Sequence, residues 1–264
     1  MHAFEYSAPS SVNDAVAALS NEDAKVLAGG QTLLPTMKQR LAAPSALIDL
    51  SKIAGLAGIA REGDLIVIGA MTRHADVASD ATVQAAIPAL AHLAAGIGDP
   101  AVRHRGTIGG SLANNDPAAD YPAAALALGA TIVTNKREIA ADAYFTGMFE
   151  TALEDNEIIV KVKFPVPEKA AYQKFRNPAS RYAMAGVFVA RTKAGVRVAV
   201  TGAGSGGVYR DMAMETALTA NFAADAIKGI KVDPGLMISD MHGDAEYRAN
   251  LVGVMARRAV ASAT

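Results

Sequence analysis

The chain has no cysteine. This excludes disulfides, cysteine-ligated iron-sulfur clusters and the common cysteine zinc sites, so any redox role needs a cofactor held in another way. An excess of charge is also missing: 25 Lys and Arg stand against 26 Asp and Glu. With Arg103-His104-Arg105 as the one notable basic cluster, a nucleic-acid surface is not expected. No apolar run reaches membrane-spanning length and Met1–Tyr6 carries no charged-then-apolar pattern, which gives a cytoplasmic location by default. The five histidines, His2, His74, His92, His104 and His242, have no ligand spacing with carboxylates and read as surface or capping residues, not metal ligands. A G-x-S-x-G elbow, an internal repeat and a low-complexity tract are absent as well, and no catalytic set emerges.

What is present is an ordinary globular composition. With 264 residues, 51% of them hydrophobic, the chain can form one large domain or two to three smaller units. Residues 96–122 are glycine-rich and polar between two apolar helical patterns, and a loop of that length is usually functional. At its center, Gly106-Thr107-Ile108-Gly109-Gly110-Ser111 offers successive amides that can line an anion-binding concavity. A second such place lies earlier. There a strand over Ala24–Ala28 runs into Gly29-Gly30-Gln31-Thr32 and a helix from Leu33 to Leu41, with Pro35 in the first turn. Either segment alone could be a tight turn; together they suggest a two-part clamp of a size suited to a dinucleotide pyrophosphate.

The remaining pattern fills in around these segments. Ser11-Val12-Asn13-Asp14 is a variant capping box, and Ala46–Leu50 and Asp64–Ala70 read as strands. Thr72 is expected to cap a short helix, Thr82–Ala95 to form one longer helix, and Tyr121–Leu128 another. A strand over Ile158–Phe164 ends at Pro165-Val166-Pro167, the candidate domain boundary. Tyr172–Phe175, Tyr182–Arg191 and Val196–Thr201 then read as an antiparallel meander. Helical patterns follow from Asp211, ending in a helix over Ala245–Ala261 with Tyr247, Leu251, Val254 and Met255 on one face. Gly202–Gly207 satisfies G-x-G-x-x-G, but the helical remainder leaves no parallel strand for a dinucleotide-binding unit, which favors a tight turn. A self-contained NAD(P)-dependent oxidoreductase using Gly202–Gly207 and a scaffold that has lost its cofactor are the competing readings.

Ala28-Gly29-Gly30-Gln31-Thr32-Leu33-Leu34-Pro35 and Thr107-Ile108-Gly109-Gly110-Ser111 resemble the two FAD-binding segments of the flavoprotein (medium) subunit of molybdenum hydroxylases, the xanthine dehydrogenase family. Within it the likeness is greatest to the aerobic carbon monoxide dehydrogenase branch. Ile48-Asp49-Leu50, Ile68-Gly69-Ala70-Met71-Thr72, Asp116-Pro117-Ala118-Ala119-Asp120, Tyr247-Arg248 and Arg257-Arg258 extend the resemblance over essentially the whole chain.

The resemblance implies an α+β chain. A two-subdomain FAD-binding fold of the vanillyl-alcohol-oxidase (PCMH-like) type would occupy residues 1–166, divided at about 1–57 and 58–166. A three-stranded antiparallel sheet with helices would follow over 168–264. It further implies noncovalent FAD, a 2Fe-2S small subunit that delivers electrons, and a molybdopterin-binding large subunit where substrate is oxidized. The assembly would be a heterotrimer or a dimer of heterotrimers. By position, Ala28, Gly29, Gly30, Gln31, Thr32 and Leu33 match the first pyrophosphate segment, and Thr107, Ile108, Gly109, Gly110 and Ser111 the second. Ser111 stands where many relatives carry Asn, which leaves its amide as the matching contact. Asp120 matches an acid that hydrogen-bonds the cofactor, Ile97 and Ile159 match apolar neighbors, and Tyr182 matches an aromatic position against the isoalloxazine ring.

Overall fold

Ser11 starts the first helix through its side chain: the hydroxyl oxygen accepts the Asp14 amide at 3.1 Å, while its proton goes to the Asp14 carboxylate at 2.6 Å. Helix α1 (Val12–Ala18) links strand β1 (Glu5–Ser7) to β2 (Lys25–Leu27), and α2 (Leu33–Lys38) links β2 to β3 (Ala46–Asp49). Both outer strands run parallel to β3 in a sheet ordered β1-β3-β2, as two helical crossovers require. Ala15, Ile48, Leu50, Ile53 and Leu56 form a small core beneath it. The computed structural model describes residues 1–264.

Strands β4 (Ile59–Glu62) and β5 (Leu65–Gly69) begin a second sheet, and a run of helices follows. These are α3 (His74–Ser79), α4 (Ala81–Ala86), α5 (Pro88–Ala95), α6 (Pro100–Arg103), α7 (Ile108–Asn114) and α8 (Tyr121–Leu128). Strands β6 (Thr131–Thr134) and β7 (Glu138–Ala140), helix α9 (Ala141–Tyr144), the hairpin β8 (Phe145–Gly147) and β9 (Glu150–Thr151), and β10 (Ile159–Pro165) complete the unit. The sheet is antiparallel throughout, ordered β4-β5-β10-β6-β7.

Three expectations are corrected here. The stretch 96–122 is not an open loop, since α6 and α7 lie within it. Thr82–Ala95 is two helices, because Pro88 cannot donate a backbone hydrogen bond and disfavors a helical residue before it. Ile87 accordingly leaves the helix at φ −140°, ψ 69°. Thr72 does not cap α3, whose N-cap is Arg73; its hydroxyl instead bridges the Gly58 N–H and carbonyl at 3.0 Å each.

Beyond Pro167, β11 (Lys169–Arg176), β12 (Ala183–Thr192) and β13 (Gly195–Thr201) form the antiparallel meander, and β14 (Tyr209–Arg210) adds a short fourth strand. Along β12, Val187 and Val189 face a core shared with α10 (Met212–Ala220) and α11 (Ala245–Ser262), while Phe188 and Ala190 face the larger core on the other side. This two-sided burial is why the strand reads as a continuous apolar run. On α11 the inward face is Arg248, Leu251, Val252, Met255 and Ala259; Tyr247 is exposed and Val254 only half-buried, so the expected stripe is rotated. Gly202–Gly207 leaves a strand that is antiparallel to both neighbors, so the competing nicotinamide reading lacks its βαβ unit.

Helix α8 joins the two larger sheets. All eight of its residues are buried, and it packs against β10 on one side and β12 and β13 on the other. Its alanine-rich surface lets both sheets approach closely, and a helix apolar all round belongs in such a place.

Candidate functional site

A cleft of about 1030 Å³ opens beside α2 and α7. One wall comes from residues between Leu19 and Thr36. The others come from the β5–α3 turn, the region from Ile97 to Asp120, the segment before β10, and Ser180–Tyr182. This volume lies at the upper end of the ~300–1,000 Å³ typical of small-molecule sites. Of the residues matched to cofactor binding, all line the cleft except Ile108, which is fully buried in the large core.

The two glycine segments meet. A Cβ placed on Gly29 would collide with the Arg105 carbonyl oxygen and stand 2.6 Å from the Gly106 Cα, so the contact is backbone against backbone and only glycine permits it. Gly30 adds a second requirement, a left-handed φ of +69°.

Their amides are used differently. None of the amides of Gly29, Gly30, Gln31, Thr32 and Leu33 has an acceptor within the chain, whereas Leu34 closes the first turn of α2 on the Gly30 carbonyl. Five free donors at a helix start form a cradle for an anion. In the second segment most amides are already engaged. Ile108 donates to the Thr72 carbonyl at 3.1 Å, Gly109 to the Ala70 carbonyl at 2.8 Å, Gly110 to the Thr107 hydroxyl at 3.2 Å, and Ser111 to the Thr107 carbonyl at 3.0 Å. The expectation that both segments present free amides is corrected on this point, because Thr107 caps α7 and turns the segment into helix. Gly109 serves packing: a Cβ there would lie 2.6 Å from the Ala70 Cβ.

Asp120 immediately precedes α8 and is 5% exposed. Its carboxylate accepts the Tyr172 hydroxyl and the Lys174 ammonium, the latter at 2.8 Å, and Lys174 also donates to the Gly96 carbonyl at 3.0 Å. Burial pushes the Asp120 carboxyl up, opposed by the Lys174 charge and hydrogen bond and by the Tyr172 hydroxyl. Tyr182 is half-exposed after the turn that begins at Asn177, whose amide donates to the Tyr182 carbonyl at 2.8 Å. Partial burial and the negative charges of Asp116 and Asp120 raise its hydroxyl pKa. Ile97 is half-buried just after α5 and Ile159 is buried at the start of β10.

Sequence reasoning missed three residues here. Tyr172 and Lys174 alternate on the same side of β11, and a lysine on a buried strand face needs a carboxylate partner, which was the available signal. His74 is the third. The other four histidines are exposed as expected, but His74 is buried at the start of α3. No group of three or more His, Asp or Glu side chains is arranged to hold a metal.

The chain that carries this cleft has relatives among known proteins. A family model described as the FAD binding domain in molybdopterin dehydrogenase matches residues 2–167. The chain belongs to this family. FAD is therefore the cofactor to which the cleft is to be compared, and the chain is an oxidoreductase subunit. Its sequence is 39% identical to the carbon monoxide dehydrogenase medium chain of Hydrogenophaga pseudoflava over 278 aligned residues, covering 98% of this chain and 96% of that one. It is 37% identical to the nicotine 6-hydroxylase medium subunit of Paenarthrobacter nicotinovorans, covering 99% and 97%. The solved structure of carbon monoxide dehydrogenase from H. pseudoflava lacking the Mo-pyranopterin moiety superposes with a TM-score of 0.90 at 40% identity, over 99% of this chain and 97% of its counterpart. No helix is long and apolar enough to cross a membrane.

Proposed function

We propose that the chain seats FAD noncovalently in this cleft. There it acts as the electron-transfer subunit of a cytoplasmic molybdenum hydroxylase, between a 2Fe-2S small subunit and a molybdopterin-binding large subunit in a heterotrimer or its dimer. The observation that carries this is the run of five unpartnered amides from Gly29 to Leu33, pressed through Gly29 onto Arg105 and Gly106. Those amides and the N-terminus of α2 hold the negative pyrophosphate. Thr107 to Ser111 form the opposing wall, with Ile97 and Ile159 as apolar neighbors of the ring and Tyr182 against its face. Asp120, fixed by Tyr172 and Lys174, presents a positioned polar group beside it. When bound, the isoalloxazine supplies the redox chemistry, receiving electrons from an iron-sulfur donor and releasing them to an external acceptor. The absence of cysteine supports a partner as the source of those electrons. The flavin unit is assigned to residues 1–166, with subdomains 1–57 and 58–166, and the meander with its helices to 168–264. This division is supported by the separate sheets and by a family match that ends at residue 167.

The test uses the chain copurified with its partner subunits. Substrate of the complex should bleach the oxidized-flavin absorption, and an external acceptor should restore it. A complex that oxidizes substrate and passes electrons to acceptor while this chain is colorless and takes up no added FAD would overturn the proposal.

A further inference from the structure

His74 is 5% exposed, and its Nδ1 is sealed from solvent with no hydrogen-bond partner. Its ring lies tilted against Tyr121 with centroids 5.3 Å apart, and the Tyr121 hydroxyl is also buried and unpartnered. The backbone N–H of His74 donates to the Gly106 carbonyl at 3.0 Å, and a Cβ on Gly106 would stand 2.5 Å from the imidazole Nε2. The ring edge is thus set under the glycine that Gly29 also touches, in the wall of the cleft.

The imidazole has no protein hydrogen-bond partner, and because Nδ1 is the sealed one of its two nitrogens, Nε2 is the atom left to face the cleft that His74 lines. An orphaned N–H is rarer than an orphaned lone pair, which assigns the lone pair to the sealed Nδ1 and the proton to Nε2. Burial, with the Arg103 charge nearby, lowers the pKa to about 4 and keeps the ring neutral. Arg103 is itself held on the Ile97 and Gly98 carbonyls at 2.9 and 3.1 Å, so it stays near as a fixed positive charge.

We propose that His74 is a cofactor-holding residue whose Nε2–H donates a hydrogen bond to the ribityl–pyrophosphate stretch of the dinucleotide where that stretch passes the second glycine segment. This rests on the FAD reading of the cleft. It gives a neutral donor to a wall whose own amides are largely engaged, complementing the free amides across from it.

The experiment titrates FAD into the cofactor-free full-length chain, following flavin fluorescence, for wild type, His74→Gln, His74→Asn and His74→Leu. Melting of each chain without cofactor is recorded in parallel. A glutamine amide nitrogen reaches the place of Nε2, whereas an asparagine amide falls near Nδ1. The proposal expects Gln within about twofold of wild type and both Asn and Leu weaker by about tenfold, the scale of one hydrogen bond. Melting of the Gln and Leu chains without cofactor should be alike. Leu binding FAD as tightly as wild type would overturn it. So would Gln and Leu losing affinity equally and in step with lower melting, which marks a packing role only. Should the Leu chain not fold, equal affinities for Gln and Asn overturn the assignment. A wild-type chain that takes up no FAD instead overturns the underlying reading, and that outcome appears before any substitution is compared.

Discussion

At the scale of single residues, the ion pair beside the cleft is held more by its surroundings than by its charges. Lys174 and Asp120 have side chains 3% and 5% exposed, and in such a site desolvation offsets much of the mutual attraction. Removing one partner is then far worse than never having had the pair. Lys174→Met should destabilize the cofactor-free chain by about 3 kcal/mol, because it leaves a buried carboxylate with only the Tyr172 hydroxyl. Adding Asp120→Asn should recover part of that loss. Urea unfolding of the two variants checks this, and a single variant within about 0.5 kcal/mol of wild type would contradict it. The sequence points to Asp120 only through the family resemblance, as an acid matched to the cofactor, and gives no sign of Tyr172 and Lys174 as its partners. That pairing joins β11 to the start of α8 across the fold and has no local signature. Gly29 and Gly30 were legible because glycine at a strand-to-helix turn is a backbone statement. The packing reason for Gly109 was not, since it depends on Ala70.

At the scale of elements, the segment between β9 and β10 forms part of the cleft wall, and one buried acid is among the groups that hold it. Glu157 accepts the Thr134 hydroxyl at 2.7 Å, the Arg137 guanidinium at 3.0 Å and the Glu154 amide at 2.8 Å. Although burial opposes ionization, these bonds and the Arg137 charge bring its pKa down to about 2. A carboxyl depressed in the folded state contributes stability that is fully present above its unfolded value of about 4.5 and is lost as pH falls toward about 2. Arg137 is partly exposed, so solvent screening reduces the contribution to about 1–2 kcal/mol. Wild type should therefore lose that much relative to Glu157→Gln between pH 4.5 and 2, measured as the difference in denaturation midpoints. Parallel curves would contradict it. Most elements were legible: the strands around residues 25, 46, 65 and 160, the meander and the last helix all follow from periodicity and turn chemistry. The polar stretch 96–122 was misjudged because three glycines in Gly106–Gly110 look like loop, whereas Thr107 caps a helix there and glycine is required by what α7 packs against.

At the scale of the whole molecule, the proposed seat for the cofactor draws on segments attached to three different sheets. Gly29–Leu33 follow β2 of the parallel sheet, Thr107–Ser111 belong to the helical run between β5 and β6, and Tyr182 precedes β12 of the meander. Thr201 donates its hydroxyl proton within the Pro117–Ala119 carbonyl pair, at 3.0 and 2.6 Å, and so ties the meander to the segment carrying Asp120. A ligand spanning these units should stabilize the chain as a whole. The most direct test is a titration of FAD into cofactor-free wild type and Gly30→Val, followed by melting temperature and by flavin absorption after gel filtration. The account predicts one FAD retained per wild-type chain, with a rise of about 5–10 °C at a hundredfold excess over the dissociation constant, and loss of both in the variant. Equal FAD retention and equal stabilization in Gly30→Val would contradict it.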